Sequence, residues 1–108
     1  MRIEGQPEAL VGLGEALLAL GQPGESLAAL TNCIEAYPLH PATYRARWLA
    51  SLALQEQGKL TEAAELLIDN LYRHALAPQS SEWRDSLFSY GLLKYRQALE
   101  DETQRRLA

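Results

Sequence analysis

Hydrophobic residues recur at intervals of three and four positions along most of this chain, which is the spacing of one face of an α-helix. In the first segment with this spacing they are Leu10, Leu13, Leu17 and Leu20. The pattern predicts five helices, at about residues 7–20, 23–37, 41–57, 60–75 and 80–104. Leu and Ala supply most of the apolar positions and β-branched residues are few, which also favours helix. We therefore expect an all-α protein whose 108 residues form a single domain.

Glycine and proline separate the predicted helices. Gly21 and Gly58 follow the first and third segments, where a residue in the left-handed conformation commonly ends a helix. The link 38–41 is short and holds a proline at each end, so it is a stiff repeat boundary rather than a flexible linker. Ser80 or Ser81 is suited to cap the fifth helix, because its hydroxyl can accept a hydrogen bond from a free backbone N–H. The fifth helix carries its stripe on Trp83, Leu87, Tyr90 or Gly91, Lys94 and Ala98.

Two stretches repeat the same helix-turn-helix pattern thirty-seven residues apart, at 17–30 and 54–67. The aligned pairs are Leu13 with Ala50, Gly14 with Ser51, Leu17 with Leu54, Gly21 with Gly58, Ser26 with Ala63, and Leu30 with Leu67. The small residues among these pairs are expected where antiparallel helices approach most closely, and a large side chain there would cost about 1 to 3 kcal/mol. A repeated unit leaves an apolar face that its neighbour covers.

The first unit resembles the tetratricopeptide repeat, a helix-turn-helix unit of thirty-four residues. Counted from Pro7, the family's large, small, turn and closing positions fall on Leu10, Leu13, Leu17, Gly14, Ser26, Gly21 and Pro38. The second unit, counted from Tyr44, keeps Ser51, Leu54, Gly58, Ala63 and Leu67. It departs from the family at Arg47, which replaces the first large residue, and at Asn70 and Ala75 near its end. The spacing of thirty-seven residues is also three longer than the family's.

The resemblance implies antiparallel helix hairpins stacked as a short right-handed superhelix, with repeat one at about 7–40, repeat two at about 41–78 and a capping helix at about 80–104. Its concave side would be lined by the first helix of each unit and would receive a partner peptide or helix. By position, the groove residues are Glu8, Val11, Glu15, Leu18, Arg45, Trp48, Leu52 and Gln55. Family members that grip the C-terminal carboxylate of a chaperone tail use Lys and Asn at these positions. Neither is present here, so we do not expect that activity.

Several residues singled out by their type have two interpretations. Trp48 fits a binding hot spot in the groove, but a tryptophan on a helix of a small all-α protein usually belongs to the core. Trp83 fits packing of the last helix against helix four. Arg45 and Arg84 either hold an acidic group of a partner or are solvated surface charges.

The charge of the chain restricts its partners. A formal net charge of −4 argues against nucleic acid and against an anionic membrane surface. Residues 1–41 carry Arg2 against five glutamates, which would either steer a basic partner or keep the chain soluble. A DNA-reading helix at 60–71 is disfavoured because its acidic residues would face phosphates. No uncharged run approaches the roughly twenty residues of a membrane-spanning helix.

Candidate chemistry is sparse. The single cysteine, Cys33, cannot form an internal disulfide and points to a reducing, cytoplasmic setting. On the buried face of helix two its thiol pKa should rise, which makes it a poor nucleophile. His40 and His74 have no Cys or His at metal-ligand spacing, and no glycine-rich phosphate loop occurs. We therefore expect no enzyme activity, metal, cofactor or small-molecule substrate.

These observations predict a protein-protein interaction module that binds a peptide or helix on its concave face. Two alternatives stay open. The first is self-assembly, in which the last helix or the open edge of the array pairs with another copy. The second is a regulatory or docking fragment of a larger protein. The terminal segment 100–108 is strongly polar and is expected to be a solvated extension, or one that awaits a second chain.

Overall fold

The computed structural model describes residues 5–73 and 80–107. It confirms an all-α fold with five α-helices and no strand in these ranges. The helices are α1 (Gln6–Ala19), α2 (Pro23–Ala36), α3 (Ala42–Glu56), α4 (Leu60–Ile68) and α5 (Ser81–Leu107). A π-helical turn, Asp69–Arg73, continues α4 directly and is called the π turn below. The fourth helix was predicted to reach residue 75. Its α-helical part ends earlier, at Ile68, and residues 74–79 lie outside the described ranges.

The sequence repeat corresponds to one turn geometry used twice. Gly21 and Gly58 have φ of +76° and +77°, in the left-handed region predicted for both. After each glycine, a backbone N–H reaches back to the carbonyl of the aligned leucine: Gln22 to Leu17 and Lys59 to Leu54, each at 2.9 Å. This bond closes the C-terminus of an α-helix by occupying a carbonyl left free inside it. α1 and α3 therefore end in the same way, thirty-seven residues apart.

Two side-chain hydrogen bonds, one to a backbone carbonyl and one to another side chain, show the relative direction of α1 and α2. Ser26 Oγ at the start of α2 donates to the Gly14 carbonyl in the second half of α1, at 2.6 Å. Tyr37 Oη just after α2 donates to Gln6 Oε1 at the start of α1, at 2.9 Å. The two helices are therefore antiparallel. Ser26 and Gly14 are both buried, which confirms that small residues lie at the close approach of this pair.

α3 and α5 run in the same direction and are joined along their length. Trp48 Nε1 donates to Ser89 Oγ at 2.8 Å. Seven residues further along both helices, Arg96 Nη1 donates to the Gln55 carbonyl at 3.3 Å. α1 also contacts α3, so these three helices share one side of the molecule, whereas α2 and α4 pack behind them. The N-terminus of α5 is capped by Ser80 Oγ, which accepts a hydrogen bond from the backbone N–H of Trp83 at 3.2 Å.

The buried faces of α1 and α5 differ from the periodic stripes in the sequence. α1 buries Pro7, Val11 and Gly14, whereas Leu13 and Leu20 are exposed. Gly14 explains the difference, because the absence of a Cβ lets the Leu30 side chain approach the α1 backbone at this point. α5 buries Ser86, Ser89 and Leu93 and leaves Leu87, Lys94 and Ala98 exposed. Small residues again let α5 lie close to its neighbours.

α5 continues as a helix to Leu107, so the polar end of the chain is helical within the described range. Every residue of 98–107 is exposed, as expected for a solvated extension. At 27 residues α5 is the longest helix described. Within 5–73 and 80–107, no helix combines the length and apolarity needed to cross a membrane.

Candidate partner-binding cleft

An open cavity of about 660 Å³ lies where α1, the link 38–41 and the first turns of α3 and α5 meet. Its lining residues are Glu8, Val11, Gly12, Glu15, His40, Pro41, Ala42, Arg45 and Glu82. We call this cavity the α1/α3 cleft. Small and apolar residues form its floor, and ionisable side chains stand at its rim. Cavities of this size with a few polar groups over an apolar floor are suited to a side chain or short segment of a ligand.

The α1/α3 cleft brings together half of the groove residues predicted from the sequence. Glu8, Val11, Glu15 and Arg45 all line it, and Val11 is buried in its floor. The other predicted groove residues do not line it. Leu18, Trp48 and Leu52 are partly buried against the core cluster that contains Leu30 and Leu49, and Gln55 lies one to two turns further along α3.

Arg45 ties α1 to α3 at the rim of the cleft. Its Nη2 donates to Glu15 Oε1 at 2.5 Å, and both side chains remain partly exposed. The guanidinium also lies 5.3 Å from the centre of the Trp48 ring, within the range of a cation–π interaction. An exposed ion pair of this kind contributes little to stability, so Arg45 remains able to exchange Glu15 for a group on a ligand.

Trp48 makes the contacts of a core residue. Its indole N–H is occupied by Ser89, and its ring packs against both core clusters, one under α1 and α2 and the other under α4 and α5. A tryptophan whose polar atom is already bound within the protein has less to offer a partner. Of the two interpretations of Trp48, these contacts favour the core.

Carboxylates outnumber cations among the described residues that line the cleft. Glu8, Glu15 and Glu82 contribute three negative charges, and Arg45 contributes one positive charge. His40 Nε2 lies 3.5 Å from Glu8 Oε1, while its Nδ1 accepts a hydrogen bond from the backbone N–H of Ala42 at 3.1 Å. This bond keeps the imidazole at the start of α3. His74 lies outside the described residues.

Five cleft residues were not identified from the sequence: Gly12, His40, Pro41, Ala42 and Glu82. The residues of the link directly precede α3, so the predicted helix-hairpin arrangement could have placed them near the groove. Glu82 could not have been found in this way, because it reaches the cleft only through the packing of α5 on α3. No local sequence pattern around residue 82 indicates the contact between α5 and α3.

Gln55 holds an unsatisfied polar atom. Its Nε2 is buried and has no hydrogen-bond partner among the described residues, although the side chain as a whole is only partly buried. A buried amide without a partner is costly, at about 1–3 kcal/mol. It lies away from the α1/α3 cleft and does not contribute to it.

Cys33 is enclosed in the core, as the sequence predicted. It is fully buried, and its Sγ lies 3.7 Å from both the Pro7 carbonyl and Thr43 Oγ1. Burial raises the pKa of the Cys33 thiol, and the hydrogen bond with Thr43 only partly opposes this shift. Within the described ranges, no group of three or more His, Cys, Asp and Glu side chains is arranged to hold a metal ion.

We expect the Cys33 thiol of the native protein to react with iodoacetamide at pH 8 at least about a hundredfold more slowly than in the unfolded chain, because local unfolding must expose it first. A Leu39→Cys variant provides an exposed thiol in the same molecule as the control. Mass spectrometry after a time course of labelling distinguishes the two sites. Equal labelling rates at positions 33 and 39 would contradict the burial of Cys33.

The chain matches no protein-family model, no curated protein and no solved structure. A functional interpretation therefore rests on the geometry of the described residues and on the sequence pattern.

Proposed function

We propose that this chain is a protein-protein interaction module whose α1/α3 cleft receives an extended segment of a partner. The observation that carries the proposal is the composition of the cleft: a small-residue and apolar floor formed by Val11, Gly12 and Ala42, below a rim of ionisable side chains. A floor of this kind lets a backbone or side chain approach closely, and the rim fixes its register. This is how preformed grooves bind peptides.

The repeat supports an array of the tetratricopeptide type as the scaffold in this proposal. α1–α2 and α3–α4 would be its two hairpins, with α5 as the closing helix. The identical helix ends at Gly21 and Gly58, and the shared direction of α3 and α5, are what such an array requires. In a stacked array the first helices of the hairpins line one surface, and the cleft lies on that side.

The charge of the cleft favours a partner segment that carries a lysine or arginine. Arg45 neutralises Glu15 at 2.5 Å, which leaves the Glu8 and Glu82 carboxylates to attract a cation. Among the described residues, the ion-pair contact of Glu8 is with His40, at 3.5 Å and on an exposed surface. The acidic first hairpin adds a longer-range field of the same sign, which raises the association rate of a basic segment at low salt.

Filling the floor of the cleft tests the proposal. A Cβ at Gly12 meets no atom within 4 Å, so Gly12→Leu projects a side chain into the cleft without disturbing the fold. The probe is a displayed library of short random peptides selected on the wild-type protein. We expect selected peptides to be rich in Lys and Arg and to lose at least about tenfold in affinity for Gly12→Leu, which corresponds to about 1.4 kcal/mol. Isothermal titration calorimetry measures the change.

The matched control is Gly24→Leu, the same substitution on α2 and outside the cleft, where a Cβ makes only an ordinary contact with Gln57. It should bind the peptides like the wild type. Glu8→Gln and Glu82→Gln should each weaken binding and its salt dependence, whereas Glu62→Gln on α4 should not. Peptides that bind Gly12→Leu as tightly as the wild type, or a selection that yields no binding peptide, would overturn the proposal.

A further inference from the structure

A second open cavity, of about 390 Å³, lies between α2 and α4. Leu27 and Ile34 of α2 and Leu66 of α4 form its apolar walls, and Leu54 of α3 forms its floor. Leu54 is buried, whereas the three wall residues are only partly buried, so a ligand can reach them. We call this cavity the α2/α4 groove. It shares no lining residue with the α1/α3 cleft.

The groove exists because α3 lies beneath both of its walls. α3 packs against α2 and against α4, whereas the backbones of α2 and α4 stay apart. α2 is antiparallel to α3, since Gly24 at the start of α2 lies beside Gln57, the residue that follows α3. α4 is also antiparallel to α3, because Asn70 Nδ2 beyond the end of α4 donates to the Tyr44 carbonyl at 2.8 Å. The two walls therefore run in the same direction.

The structure of the walls favours a helical occupant. All lining residues belong to α2, α3 or α4, and most backbone groups of a helix bond within that helix. The groove therefore offers few backbone partners to an extended segment, which has to satisfy its own N–H and C=O groups. A helix satisfies these groups internally and needs only side-chain contacts. The α1/α3 cleft differs, because residues of the link 38–41 help to line it.

Carboxylates stand on both walls of the groove. Glu35 lies on α2, Glu62 and Glu65 lie on α4, and all three are exposed. Arg73 Nη1 donates to Glu65 Oε2 at 3.0 Å and so neutralises that carboxylate. In the described part of the chain, Glu35 and Glu62 form no ion pair, and no Lys or Arg lines the groove. Two uncompensated negative charges therefore flank the apolar floor from opposite walls.

We infer that the α2/α4 groove binds an amphipathic helix of a partner protein, which places a large apolar side chain in the groove and a Lys or Arg on each side of it. The cations reach Glu35 on one wall and Glu62 on the other. An acidic helix would bring like charges together at both walls, which disfavours it. The inference goes beyond the proposed function, because it concerns another surface and a helical rather than an extended segment.

The size of the groove indicates a reversible interaction. A cavity of about 390 Å³ is near the lower end for ligand sites, so it holds one or two side chains of the helix and not the helix itself. Exposed ion pairs contribute little affinity, so the apolar side chain supplies most of it, and the charges set partner choice and association rate. We expect a dissociation constant on the order of micromolar that rises with salt concentration.

Two displayed libraries of helical peptides of about 14 residues test this inference. Each varies the apolar residues at a spacing of three and four on an alanine background. One library carries Lys at the positions that flank this face, and the other carries Glu there. Selection is made on the Gly12→Leu variant, whose α1/α3 cleft is filled. We expect binding peptides from the Lys library only.

Substitutions in the groove show where the selected peptides bind. Thr31 lines the groove and is partly exposed, so Thr31→Trp should fill it and weaken binding at least about tenfold in isothermal titration calorimetry. The matched control is Asn32→Trp, since Asn32 is the next residue of α2 but is exposed and outside the groove. It should bind like the wild type. Circular dichroism checks that each variant remains folded.

Charge reversals at the surface provide a second test that does not alter the packing. Glu35→Lys and Glu62→Lys should each weaken binding about fivefold at low salt. Glu25→Lys, on α2 but outside the groove, should leave it unchanged. Three results would overturn the inference: no binding peptide from the Lys library, equally tight peptides from the Glu library, or selected peptides that bind Thr31→Trp like the wild type.

The two proposals can fail separately. Peptides that bind the α1/α3 cleft should bind Thr31→Trp like the wild type, and peptides that bind the α2/α4 groove should be unaffected by Gly12→Leu. Loss of binding in Gly12→Leu alone would support the cleft, whereas loss in Thr31→Trp alone would support the groove.

Discussion

Replacing Asn70 with alanine should destabilise the protein by about 3 kcal/mol, because the change removes a fully buried amide that holds three elements together. Asn70 lies in the π turn. Its Nδ2 donates to the Tyr44 carbonyl at 2.8 Å and to Ser86 Oγ at 3.0 Å. Its Oδ1 accepts from Arg47 Nη1 at 3.3 Å. Alanine would remove all three hydrogen bonds, including those to the buried Arg47 guanidinium and the buried Ser86 hydroxyl.

Urea denaturation followed by circular dichroism measures the effect, with Asn32→Ala as the control. Asn32 is exposed on α2, so its removal should change the free energy of unfolding by less than about 0.5 kcal/mol. A change below about 1 kcal/mol for Asn70→Ala would mean that the π turn does not depend on this amide. A decrease in the urea dependence of unfolding would instead indicate that α5 has separated from the rest of the structure.

Arg47 shows why this network matters for the fold. It is almost completely buried, although the corresponding position of the first unit, Leu10, is apolar. Burial lowers the pKa of the Arg47 guanidinium, and the nearby Asp69 carboxylate opposes this shift. Its Nη2 donates to the Pro38 carbonyl at 2.8 Å, so the residue joins the link 38–41 to the π turn. Two departures of the second unit from the repeat pattern, Arg47 and Asn70, are therefore joined in one buried polar network, whereas Ala75 lies outside the described residues.

The turns of this protein could be predicted from the sequence because they depend on local chemistry. Gly21 and Gly58 are followed by residues that can start a new helix, and only glycine adopts the left-handed conformation at low cost. The number of helices and their approximate ends follow from the same signals together with the spacing of apolar residues. The π turn has no such local signal, since it accompanies the burial of Asn70 against α3 and α5.

The faces of the helices could be predicted only in part. A spacing of three and four residues identifies a helix, but in α1 it is satisfied both by Leu10, Leu13 and Leu17 and by the set that contains Val11 and Gly14. The close contact between Gly14 and Leu30 decides between them, and it depends on a residue sixteen positions away. The small size of Gly14 therefore decides which face of α1 is buried, and it outweighs the hydrophobicity of the neighbouring leucines.

The candidate site depends even more on distant contacts. The α1 and α3 residues of the cleft follow from assigning these helices to one surface, which the sequence repeat suggested. Glu82 joins them only because α5 packs on α3 through Trp48 and Ser89. The same contact places the Trp48 side chain in the core and leaves Phe88 and Tyr95 exposed. The packing of α5 on α3 thus determines both the cleft and which apolar side chains of α5 are exposed.

The same close contact leads to the second large expected effect, for Gly14→Ala. We expect this substitution to cost about 1–3 kcal/mol of stability, because even one methyl group overpacks the contact. A Cβ at position 14 would overlap the Cγ and Cδ atoms of Leu30, whose side chain is fully buried. The Gly14 carbonyl also accepts a hydrogen bond from Ser26 Oγ at 2.6 Å, which a shift of the two helices would lengthen.

Gly12→Ala provides the control on the same helix, two residues away. A Cβ at Gly12 meets no atom within 4 Å, so only helix propensity changes, and we expect a gain of about 0.5–1 kcal/mol. The urea midpoint should therefore fall for Gly14→Ala and rise for Gly12→Ala, relative to the wild type. Combining Gly14→Ala with Leu30→Ala tests the cause, because once Leu30 is shortened the added methyl group should no longer be destabilising. Equal penalties for Gly14→Ala in the presence and absence of Leu30 would show that the cost arises elsewhere in α1.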